Sequence, residues 1–317
     1  MAVFRVVVVV CLLCIMALGS SLVAAEYDLL NRKPQPTNNV GVFVGNEPEK
    51  VKIFEEWLGR RVEQVLIFTG GESWEDFSGS VGWAAGLWKD IDRTVIWSVP
   101  LIPRGATLEA AAAGEYNAAY LRAAEEILAA SDGVPDVYIR VGWEFNASWM
   151  AWSAIGKEQE YIGAFQEFVD VFRSVSDKFV FEWNVNIGDQ GMNPEDAYPG
   201  DDYVDIIGID FYYHTQYYPA DPLEAWQTML QEKYGLGWHR DFANARGKPM
   251  AFSEWGVMTR DSAAFVEAAE AWFEENNAIY MNYWNSDASF PGVLSCGQLG
   301  PTSDRFREIF GNPPQLQ

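Results

Sequence analysis

Two glutamates stand out because each ends a short β-type segment. Glu254 lies in the run Met250-Ala-Phe-Ser-Glu-Trp-Gly256, and Glu144 lies in Arg140-Val-Gly-Trp-Glu-Phe-Asn146. If their carboxyls face each other at about 5 to 5.5 Å, one can attack an anomeric carbon while the other protonates the leaving oxygen. The pair therefore indicates hydrolysis of a glycosidic bond by double displacement, with Glu254 as nucleophile and Glu144 as general acid/base.

Both glutamates also have a purely structural interpretation. Glu144 could form a buried ion pair with Arg140 that only fixes strand register, since structural ion pairs also perturb carboxylates. Glu254 could be an acid at a strand end that faces solvent. Trp255 beside it and Gly256 at the following turn are more typical of a cleft floor, which favours the catalytic interpretation.

The segment around Glu144 has a polar and an apolar face. Because side chains alternate along a strand, we expect the barrel mouth to receive the polar set, which is Arg140, Gly142, Glu144 and Asn146. The apolar set should pack against helices and consists of Ile139, Val141, Trp143 and Phe145. Arg140 and Asn146 thereby become candidates for binding substrate.

Other predicted strands end in residues that suit a sugar site. Tyr212 is placed to donate a hydrogen bond to Glu254, which would keep that carboxylate ionised and oriented. Asn184 can bond sugar hydroxyls, and Trp284 offers a flat ring for a pyranose face. Further substrate-binding candidates are His214, just past the sixth strand, and Trp255.

These residues can act together only if the fold brings the ends of their strands close to each other. From Val40 onward β-rich runs alternate with helical stretches, as in parallel strands joined by crossover helices. We predict strands over Val40–Gly45, Gln64–Gly70, Thr94–Pro100, Asp136–Asn146, Phe179–Asn186, Val204–Tyr213, Pro249–Gly256 and Ala278–Asn285. We predict helices over Glu49–Gly59, Thr107–Ala130, Lys157–Ser174, Pro222–Ala245 and Asp261–Asn276.

Eight such strands close a (β/α)₈ TIM barrel, an α/β fold whose active site lies at the carboxyl ends of the strands. An open doubly wound sheet is the alternative, but Gly70-Gly71-Glu72 is not a glycine-rich phosphate turn. We expect a single catalytic barrel over residues 40–317. A polar leader with Pro34 and Pro36 precedes it over residues 26–39.

The first 25 residues are predicted to be a secretory signal peptide. Arg5 precedes the apolar run Val6–Leu18, and Val23-Ala24-Ala25 follows it with small residues. The run is shorter than the roughly 20 apolar residues of a membrane span. We therefore expect a secreted protein, extracellular or periplasmic, with no membrane partner after cleavage, and we expect it to be a monomer.

Composition narrows the possible partners and chemistries. A formal net charge of −23 should repel nucleic acid and polyanionic glycans, so a neutral polysaccharide or oligosaccharide is favoured. With two histidines, and only Cys296 left after the signal peptide, a His/Cys metal centre or a Ser-His-Asp triad lacks parts. We expect no cofactor and no metal site.

These segments resemble those of glycoside hydrolase family 26, the β-mannanase family of the large clan of retaining 4/7 barrel glycosidases. The segment Arg140–Trp152 resembles its acid/base region, Tyr198–Tyr212 its sixth-strand region and Ser253–Gly256 its nucleophile region. The resemblance implies that Glu144 is the acid/base, Glu254 the nucleophile and Tyr212 its partner. It also implies that the sugar subsites are bordered by Trp149, Trp152 and Trp284.

The expected function is that of a secreted endo-β-glycanase acting on a neutral polysaccharide, with β-1,4-mannan first. Mannanases of the family commonly carry histidine before the acid/base, whereas this chain has Trp143. A β-glucanase or exopolysaccharide-degrading glycosidase is therefore the alternative. A non-catalytic carbohydrate-binding barrel is the rival of another class, although such a protein has no use for two opposed glutamates.

Overall fold

Eight parallel strands form a closed barrel in the computed structural model, which describes residues 40–311. The strands are β1 Val40–Phe43, β2 Gln64–Phe68, β3 Thr94–Val99, β4 Val137–Val141, β5 Phe179–Asn186, β6 Ile206–Tyr213, β7 Met250–Val257 and β8 Tyr280–Trp284. Each pairs with the next in chain order, and β8 pairs with β1. The predicted (β/α)₈ barrel is thus confirmed. The predicted signal peptide and leader lie outside the described residues.

Helices cover the outside of this barrel. They are α1 Pro48–Leu58, α2 Trp74–Trp88, α3 Leu108–Ala112, α4 Asn117–Ala130, α5 Glu158–Val175, α6 Pro222–Gln231, α7 Leu236–Arg246, α8 Ala263–Glu275 and α9 Pro301–Phe310, with a short 3₁₀ helix at Pro194–Ala197. Within residues 40–311, no helix combines the length and apolar character that a membrane span needs.

The predicted helices differ from the structure at several points. Helix α2 was not predicted, because Gly79, Gly82 and Gly86 weaken its helical signal. Its start is nonetheless capped by Ser73, whose side chain accepts from the backbone of Asp76. The stretch predicted as Thr107–Ala130 is two helices separated at Gly114, and the stretch predicted as Pro222–Ala245 is interrupted between α6 and α7.

Two apolar clusters hold the barrel together. The larger one lies between the strands and the surrounding helices. The smaller one fills the inside of the barrel, with Phe43, Leu66, Ile96, Ile206, Ala251, Ile279, Tyr280 and Trp284. The interior of such a barrel is a packed core and not a pore, so a substrate reaches the barrel from its ends.

Strand β7 contains a β-bulge between Ala251 and Trp255. Ala251 pairs with Gly208 and Glu254 with Asp210, so three steps along β7 match two steps along β6. The same extra residue appears against β8, where Phe252 pairs with Met281 and Trp255 with Tyr283. A bulge breaks the period of two, so side chains beyond it change faces.

Candidate active site

The carboxyl ends of the strands meet at one rim of the barrel, as parallel pairing in chain order requires. We call this rim the mouth. Glu144 follows β4, Tyr212 belongs to the end of β6, Glu254 lies in β7 and Trp284 ends β8. The chemistry-bearing residues predicted from the sequence therefore come from four different strands to the same end of the molecule.

Glu144 is not part of a strand, contrary to the prediction of a strand through Asn146. Strand β4 ends at Val141, and Gly142 and Glu144 then adopt left-handed backbone with φ of 55° and 50°. The N–H of Glu144 donates to the carbonyl of Asn184 at 3.0 Å, which anchors this unusual turn to β5. Such a conformation is costly for a residue with a side chain and is concentrated at functional sites.

The predicted alternation of side chains between the mouth and the helices consequently fails at Trp143. Its ring packs edge-on against Phe68 and lies 5.3 Å from the guanidinium carbon of Arg140, inside the mouth rather than against the helices. Phe145 does face outward as predicted, stacking on Tyr161 of α5. The positive φ at Gly142 ends the regular strand, and the period of two ends with it.

Both oxygens of the Glu144 carboxyl accept hydrogen bonds. Asn186 Nδ2 donates to Oε1 at 2.6 Å, and Trp149 Nε1 donates to Oε2 at 3.0 Å. Burial raises the pKa of Glu144, and the negative charge of Glu254 raises this pKa further. Glu144 is therefore suited to hold a proton until a leaving group needs it.

Glu254 is held in a contrasting environment. Arg140 Nη1 lies 2.7 Å from its Oε1, and the Tyr212 hydroxyl donates to its Oε2 at 2.6 Å. Burial, followed by the charge of Glu254, raises the pKa of Tyr212 well above its usual value, so this hydroxyl stays a donor. A cation and a phenol hydroxyl thus fix the orientation of the Glu254 carboxyl.

Arg140 lies below the mouth, where it is fully buried. It forms an ion pair with Asp210 in addition to the one with Glu254, and it also donates to Ser98 and Asn184. The structural alternative of an Arg140–Glu144 pair is not what the structure shows. Arg140 was predicted to bind substrate, but the structure places its whole side chain away from solvent.

Two predicted substrate-binding asparagines are also committed to the protein. Asn184 is fully buried and bonds to Glu182, Asp210 and Arg140. Asn146 clamps the backbone of Asn186, donating to its carbonyl and accepting from its N–H, both at 2.8 Å. Neither is free to bond a sugar hydroxyl. Asn146 instead fixes Asn186, which holds Glu144.

The tryptophans divide between the mouth and the core. Trp149 is 55% exposed beside Glu144, and Trp284 stacks on Phe43 at 4.0 Å on the mouth side of the barrel interior. Trp152 is buried, and its Nε1 donates to the carbonyl of Trp143 at 2.7 Å. The expectation that Trp152 borders a sugar is therefore not met, since it packs beneath Trp143.

Trp255 does not line the cleft, which corrects its prediction as a substrate-binding residue. It is 1% exposed and packs on Phe273 of α8 and Phe306 of α9. The bulge in β7 explains the placement, because Glu254 takes the inward position and its neighbour turns toward the helices. His214 follows β6, where its Nδ1 accepts from the backbone of Gln216 and its ring contacts exposed Tyr217.

Three residues that contact the predicted site residues were not identified in this role from the sequence. Asn186 donates to the Glu144 carboxyl, and its place at the end of β5 could have suggested contact with a residue after β4. Asp210 accepts the backbone N–H of Glu254 at 3.0 Å. Phe290 packs against Tyr212 and Trp284 from a loop after β8, and no local sequence signal indicates that.

The described residues contain no group of three or more His, Cys, Asp or Glu side chains arranged to hold a metal ion. His239 is buried on α7, with its Nε2 2.8 Å from the carbonyl of Ile207. Burial lowers the pKa of His239 to about 4, so its ring is neutral. It belongs to the packing of the outer helices.

A family model described as glycosyl hydrolase family 26 matches residues 108–288, more than half of the chain. The matched stretch includes both Glu144 and Glu254.

Curated relatives share between a quarter and a third of their residues with the aligned part of this chain. Endoglucanase H of Acetivibrio thermocellus is 28% identical over 183 residues, covering 55% of this chain and 19% of that protein. A mannan endo-1,4-beta-mannosidase of Bifidobacterium adolescentis is 28% identical over 235 residues, covering 65% and 22%. One from Bacillus subtilis is 26% identical over 170 residues, covering 50% and 41%. The chain thus spans less than half the length of each.

Solved structures support the same architecture. The catalytic domain of a Bacillus sp. JAMB-750 GH26 endo-beta-1,4-mannanase superimposes with a TM-score of 0.62 at 17% identity, covering 86% of this chain and 85% of that one. A Bacillus subtilis mannanase gives a TM-score of 0.60 at 16% identity, covering 88% and 86%. At such identities the likeness concerns the barrel fold.

Proposed function

Since the chain belongs to glycosyl hydrolase family 26, we propose that it is a retaining endo-β-glycanase that hydrolyses a neutral polysaccharide. The observation that carries the proposal is the contrast between two carboxyls at one mouth. Burial and a neighbouring charge favour the protonated form of Glu144, whereas Glu254 is in contact with a guanidinium and a phenol hydroxyl that orient it. An acid and a nucleophile are the two groups that the reaction needs.

In the first step a Glu254 oxygen bonds to the anomeric carbon while the glycosidic C–O bond breaks. Glu144 transfers its proton to the departing oxygen, which leaves as an alcohol. Esterification removes the charge of Glu254, and with it one cause of the raised pKa of Glu144. The Glu144 carboxylate is then suited to accept a proton from the water that attacks the same carbon and frees Glu254. Two inversions restore the β configuration.

β-1,4-Mannan is the leading substrate. Two of the three curated relatives are named mannan endo-1,4-beta-mannosidases, and the similar structures cited above are mannanases. The net charge of −23 favours a neutral glycan of this kind. Exposed Trp149 next to Glu144, together with Trp284 at the mouth, supplies aromatic surface for sugar rings.

A β-glucan is the second candidate. Another relative is named an endoglucanase, and Trp143 stands before the acid/base where mannanases of the family commonly have histidine. Because Trp143 contacts Phe68 and Trp152, an apolar wall replaces a polar ring on this side of the mouth. The indole N–H of Trp143 is a donor only, whereas a histidine ring can also accept a hydrogen bond from a sugar hydroxyl.

We also propose that the enzyme is secreted, either to the extracellular space or to the periplasm, and acts as a monomer. The apolar run Val6–Leu18 with small residues through Ala25 supports export. Its cleavage can be tested by N-terminal sequencing of protein recovered from the culture medium, where Glu26 is the expected first residue.

The activity is tested by incubating the purified protein with galactomannan, glucomannan, mixed-linkage β-glucan and xylan and measuring new reducing ends. Manno- and gluco-oligosaccharides of equal length then rank the two candidates by kcat/KM. Glu254→Ala should abolish the signal and keep substrate binding. Glu55→Gln is a matched control, because it disturbs an ion pair with Arg93 outside the mouth.

Two outcomes would overturn the assignment. Undiminished activity of Glu254→Ala would remove this residue from the mechanism. Binding of a glycan without any new reducing ends in the wild-type protein would support the non-catalytic carbohydrate-binding alternative.

A further inference from the structure

Ser253 and Glu254 are neighbours in β7, yet both side chains point into the barrel. In a regular strand one of them would face the helices. Ser253 bonds to Glu182 in the interior, while Glu254 bonds to Arg140 and Tyr212. The bulge between Ala251 and Trp255 makes this possible, since it adds one residue relative to both neighbouring strands. The direction of the Glu254 side chain therefore depends on the contacts that stabilise the bulge.

Glu182 on β5 is the group that contacts the bulge from inside. It is fully buried, and its Oε1 accepts from the Ser253 hydroxyl and, at 3.0 Å, from Asn184 Nδ2. Its Oε2 accepts from the Tyr280 hydroxyl at 2.6 Å. A Cβ at Gly208 would overlap Oε1, so the absence of a side chain there makes room for this carboxyl.

Two connected routes lead from Glu182 to Glu254. The first is covalent, because Ser253 immediately precedes Glu254. The second passes through Asn184, whose Nδ2 donates both to Glu182 and, at 2.9 Å, to Asp210 Oδ1. Asp210 Oδ1 in turn accepts the backbone N–H of Glu254 at 3.0 Å. Both routes end on the backbone that aims the Glu254 carboxylate.

Burial favours the protonated form of Glu182. The charge of Arg140 is already in contact with Asp210 and Glu254, and burial raises the pKa of Glu182. Asp210 accepts from the N–H groups of Arg140, Asn184 and Glu254, whereas burial raises its pKa well above the usual value. The hydroxyls of Ser253 and Tyr280 can instead either donate or accept, so they tolerate a protonated Glu182.

We propose that Glu182 is a positioning residue for the nucleophile, which holds the β7 bulge through Ser253 and thereby aims Glu254 into the mouth. This inference rests on the proposed glycosidase function only for its kinetic tests. Glu182 touches no substrate, because it lies beneath Asn184 and Arg140 with no open surface.

Ser253→Ala is the first test. Loss of the hydroxyl frees the bulge, and a shift of the carboxylate by about 1 Å should lower kcat on the order of 100-fold. KM should change little, since the sugar-binding surface above is untouched. Ser262→Ala is the matched control: it removes another buried hydroxyl, bonded to Thr259 at 2.6 Å, outside the network. It should lower Tm to a similar extent and leave kcat unchanged.

Substitutions of Glu182 itself distinguish the effect of its hydrogen-bond acceptor from the effects of its charge and of its side-chain volume. Glu182→Gln keeps an acceptor for Ser253 and mimics the neutral acid, so kcat should stay near the wild-type value. Glu182→Leu keeps the volume and removes the acceptor, so it should lower kcat as Ser253→Ala does. Tyr280→Phe removes only the bond to Oε2 and should have the smallest effect on kcat.

A crystal structure of Ser253→Ala gives a readout that does not need activity. The Tyr212–Glu254 hydrogen bond of 2.6 Å should be lengthened or lost. Retention of this bond, or a kcat equal to that of Ser262→Ala, would overturn the inference. If the wild-type protein and Glu254→Ala are equally inactive on every glycan, the proposed function fails, while the crystal structure still decides the role of Ser253.

Discussion

Replacement of Asn186 by alanine should move the alkaline limb of the pH profile upward. Glu144 must carry a proton to act as general acid, so activity falls as pH rises through its pKa. Asn186 Nδ2 donates to the Glu144 carboxyl at 2.6 Å, and this bond lowers the pKa that burial and Glu254 raise. Without the bond, the ionised form loses a donor and the acid keeps its proton to higher pH.

The size of this displacement follows from the strength of the bond. A hydrogen bond to a charged group is worth about 1.5 to 3 kcal/mol, and a tenfold change in acidity corresponds to about 1.4 kcal/mol. Glu144 is only partly buried, so water can enter the space left by Asn186 and replace some of the lost interaction. We therefore expect the limb to move by about one pH unit, at the lower end of that range.

The assay is kcat/KM against pH on a soluble oligosaccharide, with a constant ionic strength. Gln190→Ala serves as the matched control, because Gln190 donates to Asn186 Oδ1 at 2.9 Å and leaves the Nδ2 bond in place. It should leave the limb where it is. Trp149→Phe should move the limb upward by less, since solvent reaches the exposed indole and replaces its bond.

A downward movement of the limb in Asn186→Ala would refute the reasoning. It would mean that Asn186 stabilises the protonated acid or that another group sets the limb. An aryl glycoside with an acidic phenol distinguishes these cases, because its departure needs no proton from Glu144.

Three further results are expected. Glu144→Ala should still form the glycosyl-enzyme from such an aryl glycoside, and azide should then release a β-glycosyl azide; an α-glycosyl azide would indicate single displacement. Trp149→Ala should weaken productive binding by about 1 to 3 kcal/mol, on the scale of aromatic stacking, seen as a lower kcat/KM with unchanged Tm. Trp255→Ala should lower the free energy of unfolding, measured by urea titration, by about 3 to 5 kcal/mol, as for a buried aromatic side chain. An effect on KM without loss of stability would indicate that Trp255 binds substrate.

Several features of this protein could be predicted from the sequence because they depend on local pattern. The alternation of apolar runs with helical stretches predicts the eight strands and hence the barrel, since each run needs burial on both faces. Glu254 is a single acid at the end of such a run, and Tyr212 ends the run before it. Once parallel strands are known to end at one rim, their meeting at the mouth follows without knowledge of any contact.

The tertiary structure alone decided which side chains point inward. The period of two holds only along regular strands, and it fails where β4 ends at Val141 and where β7 carries its bulge. Trp143 consequently enters the mouth, whereas Trp255 leaves it. The sequence does not indicate which of these two tryptophans faces the mouth, because their direction is set by the register with which their strands pair with neighbouring strands.

The partners of the buried charges were decided in the same way. Arg140 and Glu144 are four residues apart and invite pairing with each other, yet Arg140 pairs with Asp210, which is 70 residues away, and with Glu254. The closed barrel brings β4, β6 and β7 around one interior, where a guanidinium stabilises the carboxylates that burial has desolvated. The sequence determined which ionisable groups the mouth contains, and the closure of the barrel determined which of them are in contact.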